Sequence, residues 1–341
     1  MSYSKTAVVL INVGTPDSTS VKDVRKYLSG FLNDPRVIDI PWLLRKLLVN
    51  LIIVPFRAPK SARHYRLLWT DNGSPLLYYG ISVKEKLQDQ LGNNFRVFLA
   101  MRYGNPNLKK VLSEINATGY SNIIVLPLYP HYASSTTGTA VEMIMQQVMN
   151  WEVIPGIQFI NQYYDNKEFI DVWVKKIKSC NYREYDHIVF SYHGLPLRQL
   201  NKIHPGIDSS TCTCKIKMPE HGKYCYKATC YETTRLIAAK LGLEEKDYSV
   251  SFQSRFSDNW MKPFTDELLK RKAKEGVSNI LMIAPAFVAD CLETTVEIGI
   301  QYRDLFIKSG GNKLHYAGSL NDMPEWINVL KNIIMIPRKS I

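Results

Sequence analysis

The feature that most constrains this chain is a repeat. Strand-like and helix-like segments recur between its two halves, in the same order and with local residue identity. Short apolar runs rich in β-branched residues occur at 7–12, 95–102, 122–129, 157–163, 187–191, 248–255, 279–287 and 313–319. Amphipathic stretches at 21–32, 82–91, 107–117, 140–150, 166–179, 231–241, 261–275 and 293–308 lie between and around them. Such alternation predicts parallel strands with covering helices, because a parallel pair needs a crossover long enough to hold a helix. The run Asn12-Val13-Gly14-Thr15-Pro16 is echoed by Tyr192-His193-Gly194-Leu195-Pro196, and Met101-Arg102-Tyr103 by Ser254-Arg255-Phe256. Gly119-Tyr-Ser-Asn-Ile-Ile-Val returns as Gly276-Val-Ser-Asn-Ile-Leu-Met, and each is followed by Thr-Thr and a segment carrying Val-Glu.

The expected class is therefore α/β, with two similar Rossmann-like domains, each a small parallel sheet flanked by helices, and the active-site cleft between them. Residues 1–130 would form the first domain, with 315–341 packing back on it. Residues 131–314 would form the second, with a cysteine-rich insertion at 208–230. Ligands of open α/β sheets bind beyond the carboxyl ends of the strands, so the strand-end residues become the candidates for chemistry. No GxGxxG or GxxxxGK[ST] occurs, and a nucleotide site has no motif support.

Charge narrows the partners. Forty-three Lys and Arg against 31 Asp and Glu give a net charge of +12, which suits nucleic acid, an anionic membrane or an anionic small molecule. The basic residues are spread through helical segments such as 262–274 rather than gathered on one element with aromatics, so no nucleic-acid partner is expected. The most apolar stretch, 42–56, contains Arg45, Lys46 and Asn50. It falls short of the roughly 20 apolar residues a bilayer span requires. Lys46, Arg57, Lys60 and Arg63 flank its apolar part, so residues 42–64 read as a peripheral contact with a membrane surface. No signal-peptide core precedes the first strand. The expected location is cytoplasmic, at or near the inner face of the membrane, where cysteines stay reduced. Oligomeric state is left open.

Three constellations carry chemistry. His193 follows an apolar strand and precedes a Gly-x-Pro turn; imidazole there serves as a proton acceptor near neutral pH or as a metal ligand. Asp290, Glu293 and Glu297, at spacings of three and four, would line one face of a helix. Like charges so close push a pKa upward, towards that of a working base, although carboxylates at a helix N-terminus are also favoured by the dipole alone. The run Tyr129-Pro-His-Tyr-Ala-Ser-Ser135-Thr-Thr-Gly138 offers hydroxyls and a histidine beyond a strand, either as a helix cap or as a ligand cradle.

Ser191-Tyr-His-Gly-Leu-Pro196, Tyr129-Pro-His-Tyr132 with Ser135-Thr-Thr-Gly138, Phe252-Gln-Ser-Arg255 and Asp290-Cys-Leu-Glu293 together resemble ferrochelatase, as do Ala100-Met-Arg-Tyr103 and Leu10-Ile-Asn-Val-Gly-Thr-Pro16. The resemblance runs from about residue 7 to Leu320-Asn-Asp322. It implies an enzyme, a lyase of late haem biosynthesis, that inserts Fe²⁺ into protoporphyrin IX and releases two protons. Alternatives are a coproporphyrin or other-metal chelatase, and a non-catalytic porphyrin or haem carrier. It places the essential histidine on His193 and the facing glutamate on Glu293, both also as contacts of the substrate iron, with Glu297 and Asp290 carrying protons away. Porphyrin contacts fall on Arg102, Tyr103, Tyr129, Ser135 and Trp260, with Arg102 the candidate for a propionate. Many members have His where this chain has Cys291.

Cys212, Cys214, Cys225 and Cys230 follow the spacing C-x-C-x10-C-x4-C. Four thiols in one loop of a reducing compartment read as a metal or cluster site. Some bacterial members of the family carry an internal [2Fe–2S] cluster on four cysteines, which makes that cluster the leading candidate; zinc and no metal remain open. Cys180 and Cys291 stand apart.

Overall fold

The computed structural model describes residues 6–204, 206–209 and 211–336. Residues 1–5, 205, 210 and 337–341, and with them the extreme ends of the first domain as drawn from the sequence, lie outside the described residues. Eight strands form two four-stranded parallel sheets. The first contains β1 (Thr6–Asn12), β2 (Phe95–Met101), β3 (Asn122–Pro127) and β4 (Gly156–Phe159), in the order β2-β1-β3-β4. The second contains β5 (His187–His193), β6 (Tyr248–Gln253), β7 (Asn279–Ile283) and β8 (Lys313–Tyr316), in the order β6-β5-β7-β8. The two orders are the same once the chain positions are shifted.

Central strands read as unbroken apolar runs because helices cover both faces of each sheet. Ala7 through Ile11 are fully buried. On one face of the first sheet, Ala7, Val9 and Ile11 pack with Leu108, Leu112 and Ile115 of the helix Leu108–Thr118 and with Ile144 of the helix Thr139–Val148. In the second sheet Val189, Ile280 and Met282 pack with Leu268 and Leu269 of Thr265–Lys274 and with Phe306. The helices start where the sequence supplies caps: the side chains of Ser20, Asn107 and Asn166 accept from the first turns of their helices.

Strand pairing tests the repeat residue by residue. Ala7 pairs with Ile123 and His187 with Ile280, which preserves the echoes read in the sequence for the first and third strands of each half. The second strands behave differently. Asn12 pairs with Met101 whereas Tyr192 pairs with Phe252. Gln253, and not Arg255, therefore occupies the place that Arg102 takes in the first sheet. The Met-Arg-Tyr and Ser-Arg-Phe echo is out of register by two residues.

The chain divides into two compact units. One takes in the chain up to Tyr129, then Ser134–Gln162, and the chain from Asn321 onward; the other takes Pro130–Ala133 and Tyr163–Leu320. This corrects the division drawn at residue 130. Strand β4 pairs with β3, so the helix Thr139–Val148 and β4 stay with the first sheet. The return to the first unit is the helix Pro324–Met335, which the sequence reading missed. It packs on the helix Pro75–Leu91, where Ser82 donates to Asp322 (2.7 Å).

Candidate active site

His193 is the last residue of β5. Its Nδ1 lies 2.7 Å from the Gly194 carbonyl oxygen. A carbonyl only accepts, so Nδ1 carries the proton, and the neutral ring keeps its lone pair on Nε2. The loop that follows is fixed by backbone bonds: Gly194 N–H donates to Gln253 O (2.8 Å), Leu197 N–H to Asn259 O (3.0 Å) and Met261 N–H to Leu195 O (3.0 Å). Glycine keeps position 194 free of crowding, since a Cβ would lie 3.0 Å from the Gln253 carbonyl oxygen and 3.4 Å from the Trp260 ring. The half-buried Trp260 sits 6.3 Å from the His193 ring, centroid to centroid, tilted by 47°.

The acidic row takes a form that its spacing does not announce. The helix begins at Leu292, not at Asp290, and Leu292–Tyr302 is π-helical. Extended π-helix is rare and marks functional sites. The three carboxylates consequently occupy three environments rather than one α-helical face. Asp290 precedes the helix and accepts from the Thr294 hydroxyl (3.3 Å), the Ser319 N–H (3.2 Å) and the Tyr316 hydroxyl (3.4 Å). Glu293 is half-buried beside the Cys291 thiol, which burial, and then the Glu293 charge, push well up. Cys291 thus stands as a neutral thiol at a place where imidazole would be able to carry a proton.

Glu297 gathers donors. It accepts from the Ser254 N–H (2.9 Å), the Ser254 hydroxyl, the Tyr302 hydroxyl (2.7 Å) and Gln253 Nε2 (3.2 Å). Ser254 takes a left-handed φ of 61°, an uncommon conformation for a non-glycine residue. The turn aims two of its own donors at one carboxylate. Gln253 ties the arrangement together. It pairs with His193 across the sheet, accepts from the Ser191 hydroxyl (2.8 Å) and donates to the Glu293 carbonyl (2.9 Å). The strand end that bears the histidine and the helix that bears the acids are thereby coupled through one amide. Sequence reasoning missed Gln253, Ser254 and Tyr302, although Phe252-Gln-Ser-Arg255 was one of the family-like motifs.

Arg255 turns away from this cluster, stacking on Phe264 (4.0 Å to the ring) and pairing with Asp266 and Glu267 (2.9 Å each). His131 is a core histidine. Its Nε2 meets the Thr233 hydroxyl at 2.9 Å, its ring packs against Tyr164, Tyr192 and Tyr226, and burial lowers its pKa to about 3.

In the first unit the structure corrects one expectation. Arg102 is not an open propionate anchor: its Nη2 pairs with Asp34 at 2.5 Å, its Nε donates to Thr139 (2.9 Å), and its side chain is 15% exposed. Tyr103 has a partner there too. It is buried, donates to Asp34 (2.8 Å), and burial raises its pKa. Asp34 lies far from Arg102 along the chain, and no spacing rule connects them. Tyr129 is half-buried just past β3, and Ser135 is half-buried on the single π-turn Ser134–Gly138. Next to that turn Arg36, unnoticed in the sequence, donates to Ser134 (2.9 Å) and to Glu142.

The segment 42–68 is one continuous helical stretch, Trp42–Leu47, the π-helical Leu48–Ile53 and Val54–Leu68. Trp42, Leu43, Leu44, Leu47, Leu51, Ile52 and Phe56 all face solvent, Phe56 at 79% exposure. Arg45, which interrupts the run in the sequence, is buried and donates to the Ile40 carbonyl (2.8 Å). No helix among the described residues is long and apolar enough to cross a membrane.

The four clustered cysteines are free thiols; Cys214, Cys225 and Cys230 are buried and Cys212 is half-buried. Cys214 is hydrogen-bonded to Cys225 and to Cys212, and Cys230 to the Tyr226 hydroxyl. Cys212 Sγ also lies 3.4 Å from His221 Nε2.

Two parallel sheets of one topology, with a strand-end histidine and a π-helical acidic segment, define a metal chelatase. Among solved structures, SirB from Bacillus subtilis with Fe³⁺ shares the fold at a TM-score of 0.55 and 11% identity, over 97% of this chain and 94% of that one. The family model described as Ferrochelatase matches residues 5–336. The ferrochelatase of Legionella pneumophila (strain Lens) is 40% identical over 96% of this chain and 98% of its own length. That of Opitutus terrae is 41% identical over 96% of both. The chain belongs to the ferrochelatase family.

Proposed function

We propose that this ferrochelatase inserts Fe²⁺ into protoporphyrin IX, with His193 as the first proton acceptor. Metallation exchanges two pyrrole protons for one Fe²⁺, so the site must accept two protons beside an incoming dication. The observation that carries the reading is the Nδ1–H bond from His193 to the Gly194 carbonyl, which leaves Nε2 as the free base. Glu293 is the second acceptor, and Gln253 holds its backbone to the strand end of His193. Glu297, held by Ser254, Tyr302 and Gln253, and Asp290, held by Thr294, Ser319 and Tyr316, carry protons away from that pair. Trp260, beside His193, supplies an aromatic contact for the macrocycle. Arg102 and Tyr103 direct their charge and hydroxyl at Asp34.

The test is anaerobic metallation of protoporphyrin IX by Fe²⁺ or Zn²⁺. His193→Ala should lower kcat about 10²–10⁴-fold, while porphyrin still quenches the protein's fluorescence. A variant that metallates at the wild-type rate rejects the assignment. Running coproporphyrin beside protoporphyrin decides the substrate.

The exposed apolar face of residues 42–64 is read as the contact with an anionic bilayer. Its support is seven exposed apolar side chains next to Lys46, Arg57, Lys60 and Arg63. A [2Fe–2S] cluster on Cys212, Cys214, Cys225 and Cys230 is supported by the thiols gathered in the cysteine-rich segment, where Cys214 is hydrogen-bonded to both Cys212 and Cys225. Such a cluster requires four thiolates, which Cys212, Cys214, Cys225 and Cys230 would supply, Cys230 on releasing its hydrogen bond with the Tyr226 hydroxyl. No step of the reaction is routed through it.

A further inference from the structure

We infer that Tyr226 is a positioning residue that ties the cysteine group to the strand end bearing His193, so that the state of Cys230 is felt at the proton-accepting histidine. The helix Tyr226–Leu241 carries Tyr226 and Cys230 one turn apart on one face. Both are buried, at 6% and 0% exposure. A hydroxyl has one proton to give and two lone pairs to offer. That of Tyr226 donates to Cys230 Sγ and accepts from the His193 backbone N–H. Pairing of β5 with β7 ends at Phe190 and Ile283, so β5 outruns that neighbour before it reaches His193. The Tyr226 hydroxyl takes up the N–H at that end.

A second connection leaves the same cysteine. The Thr234 hydroxyl spends its proton on the Cys230 carbonyl (3.2 Å), so the Tyr192 hydroxyl, 2.8 Å away, donates to it. Tyr192 precedes His193 on β5. Cys230 is thus joined by Sγ to the backbone of His193 and by its carbonyl to the side chain of the residue before it. The rings between are packed edge to face, Tyr226 on His131 at 6.0 Å and His131 on Tyr192 at 5.4 Å. An interior helix face ordinarily presents apolar side chains. This one presents Thr229, Cys230, Thr233 and Thr234, all buried and each hydrogen-bonded, as burial of polar groups requires.

The consequence rests on the reading of His193 as the first proton acceptor. The Nδ1–H bond to Gly194 fixes the imidazole, and the Tyr226 hydroxyl fixes the backbone from which the imidazole hangs. When Cys230 gives its sulfur to a four-thiolate group it releases the Tyr226 hydroxyl, which is then anchored by His193 alone. Filling or emptying the cysteine group therefore re-aims the base without touching the substrate, and a base out of line costs rate rather than binding.

The full chain is prepared with isotopically labelled histidine, and the His193 amide resonance is assigned by its absence from His193→Ala. Tyr226→Phe keeps the ring and removes only the oxygen. It should lower kcat for anaerobic metallation about tenfold with KM for porphyrin unchanged, and it should move the His193 resonance. In chelator-stripped protein Cys230→Ala should move that resonance too. Cys230→Ser, whose hydroxyl still accepts, should restore it, and Cys230→Ala added to Tyr226→Phe should move it no further. The inference is overturned if Tyr226→Phe turns over at the wild-type rate, or if Cys230→Ala displaces the resonance equally with and without the Tyr226 hydroxyl. Wild-type turnover by His193→Ala would instead reject the assignment of the base, and the amide measurements would still decide the connection.

Discussion

The two sheets share one strand order, yet their strand ends do opposite things. At the end of β1, Val13 precedes the same Gly-x-Pro turn that His193 precedes at the end of β5. Beside it, Arg102 of the first sheet and Gln253 of the second occupy one sheet position. Arg102 is locked into a buried ion pair with Asp34, capped by Thr139 and Tyr103. Gln253 instead spends its amide on the acidic π-helix and on Ser191. The repeated topology thus places a polar side chain, Arg102 or Gln253, at one shared sheet position, while His193 has only the apolar Val13 as its counterpart. In one unit the hydrogen bonds are closed among buried groups, and in the other a histidine lone pair is left open.

Separating stability from rate would break this comparison most directly. Asp34→Ala strands the Arg102 guanidinium in the interior and should cost about 3–5 kcal/mol of stability, read as a large fall in the denaturation midpoint. His193→Ala should leave that midpoint nearly unchanged while abolishing most turnover. If the two variants trade these effects, the division between a structural and a chemical strand end is wrong.

Acid sharpens the contrast next. His131 and His187 both lie in the second unit, and burial lowers their pKa values to about 3 and about 4, with the Lys272 charge adding to the shift at His187. In the unfolded chain each titrates near 6.5. Below that pH the unfolded state binds protons that the folded state refuses, so stability is present above about 6.5 and is lost as pH falls towards 4. Amide exchange between pH 7 and 4.5 should therefore show the second unit losing protection before the first. The reverse order would contradict it.

The smallest expected effect concerns the apolar face of the first unit, which has no counterpart among the exposed residues of the second unit's helices. Phe56→Glu should leave the denaturation midpoint unchanged and weaken binding to phosphatidylserine-containing vesicles roughly tenfold. Equal binding by both forms would remove the membrane reading.

Several features were readable without coordinates because they depend on local chemistry. A strand buried on both faces must be apolar throughout, and central strands betray themselves by runs such as Ala7–Ile11 and Ile280–Ile283. Ser20, Asn107 and Asn166 mark helix starts because their side chains complete the first turn wherever the helix lies. The Gly-x-Pro turn after His193 is local too. The helix Pro324–Met335 escaped notice because its partner, Pro75–Leu91, lies at the other end of the chain.

By itself, the sequence determined the α/β class, the repeat, the histidine at a strand end and the acidic segment, since periodicity and turn chemistry act over a few residues. Only the tertiary structure decided what those groups face. Spacings of three and four fit α- and π-helix alike, so the π-helical path of Leu292–Tyr302 and the exit of Asp290 from it could not be read. Arg102 looked available until Asp34 was seen beneath it. Tyr226 became a partner of His193 only when the chain between them folded back. In each case the deciding partner is distant along the chain, and charge, burial and lone-pair direction are properties of the assembled neighbourhood.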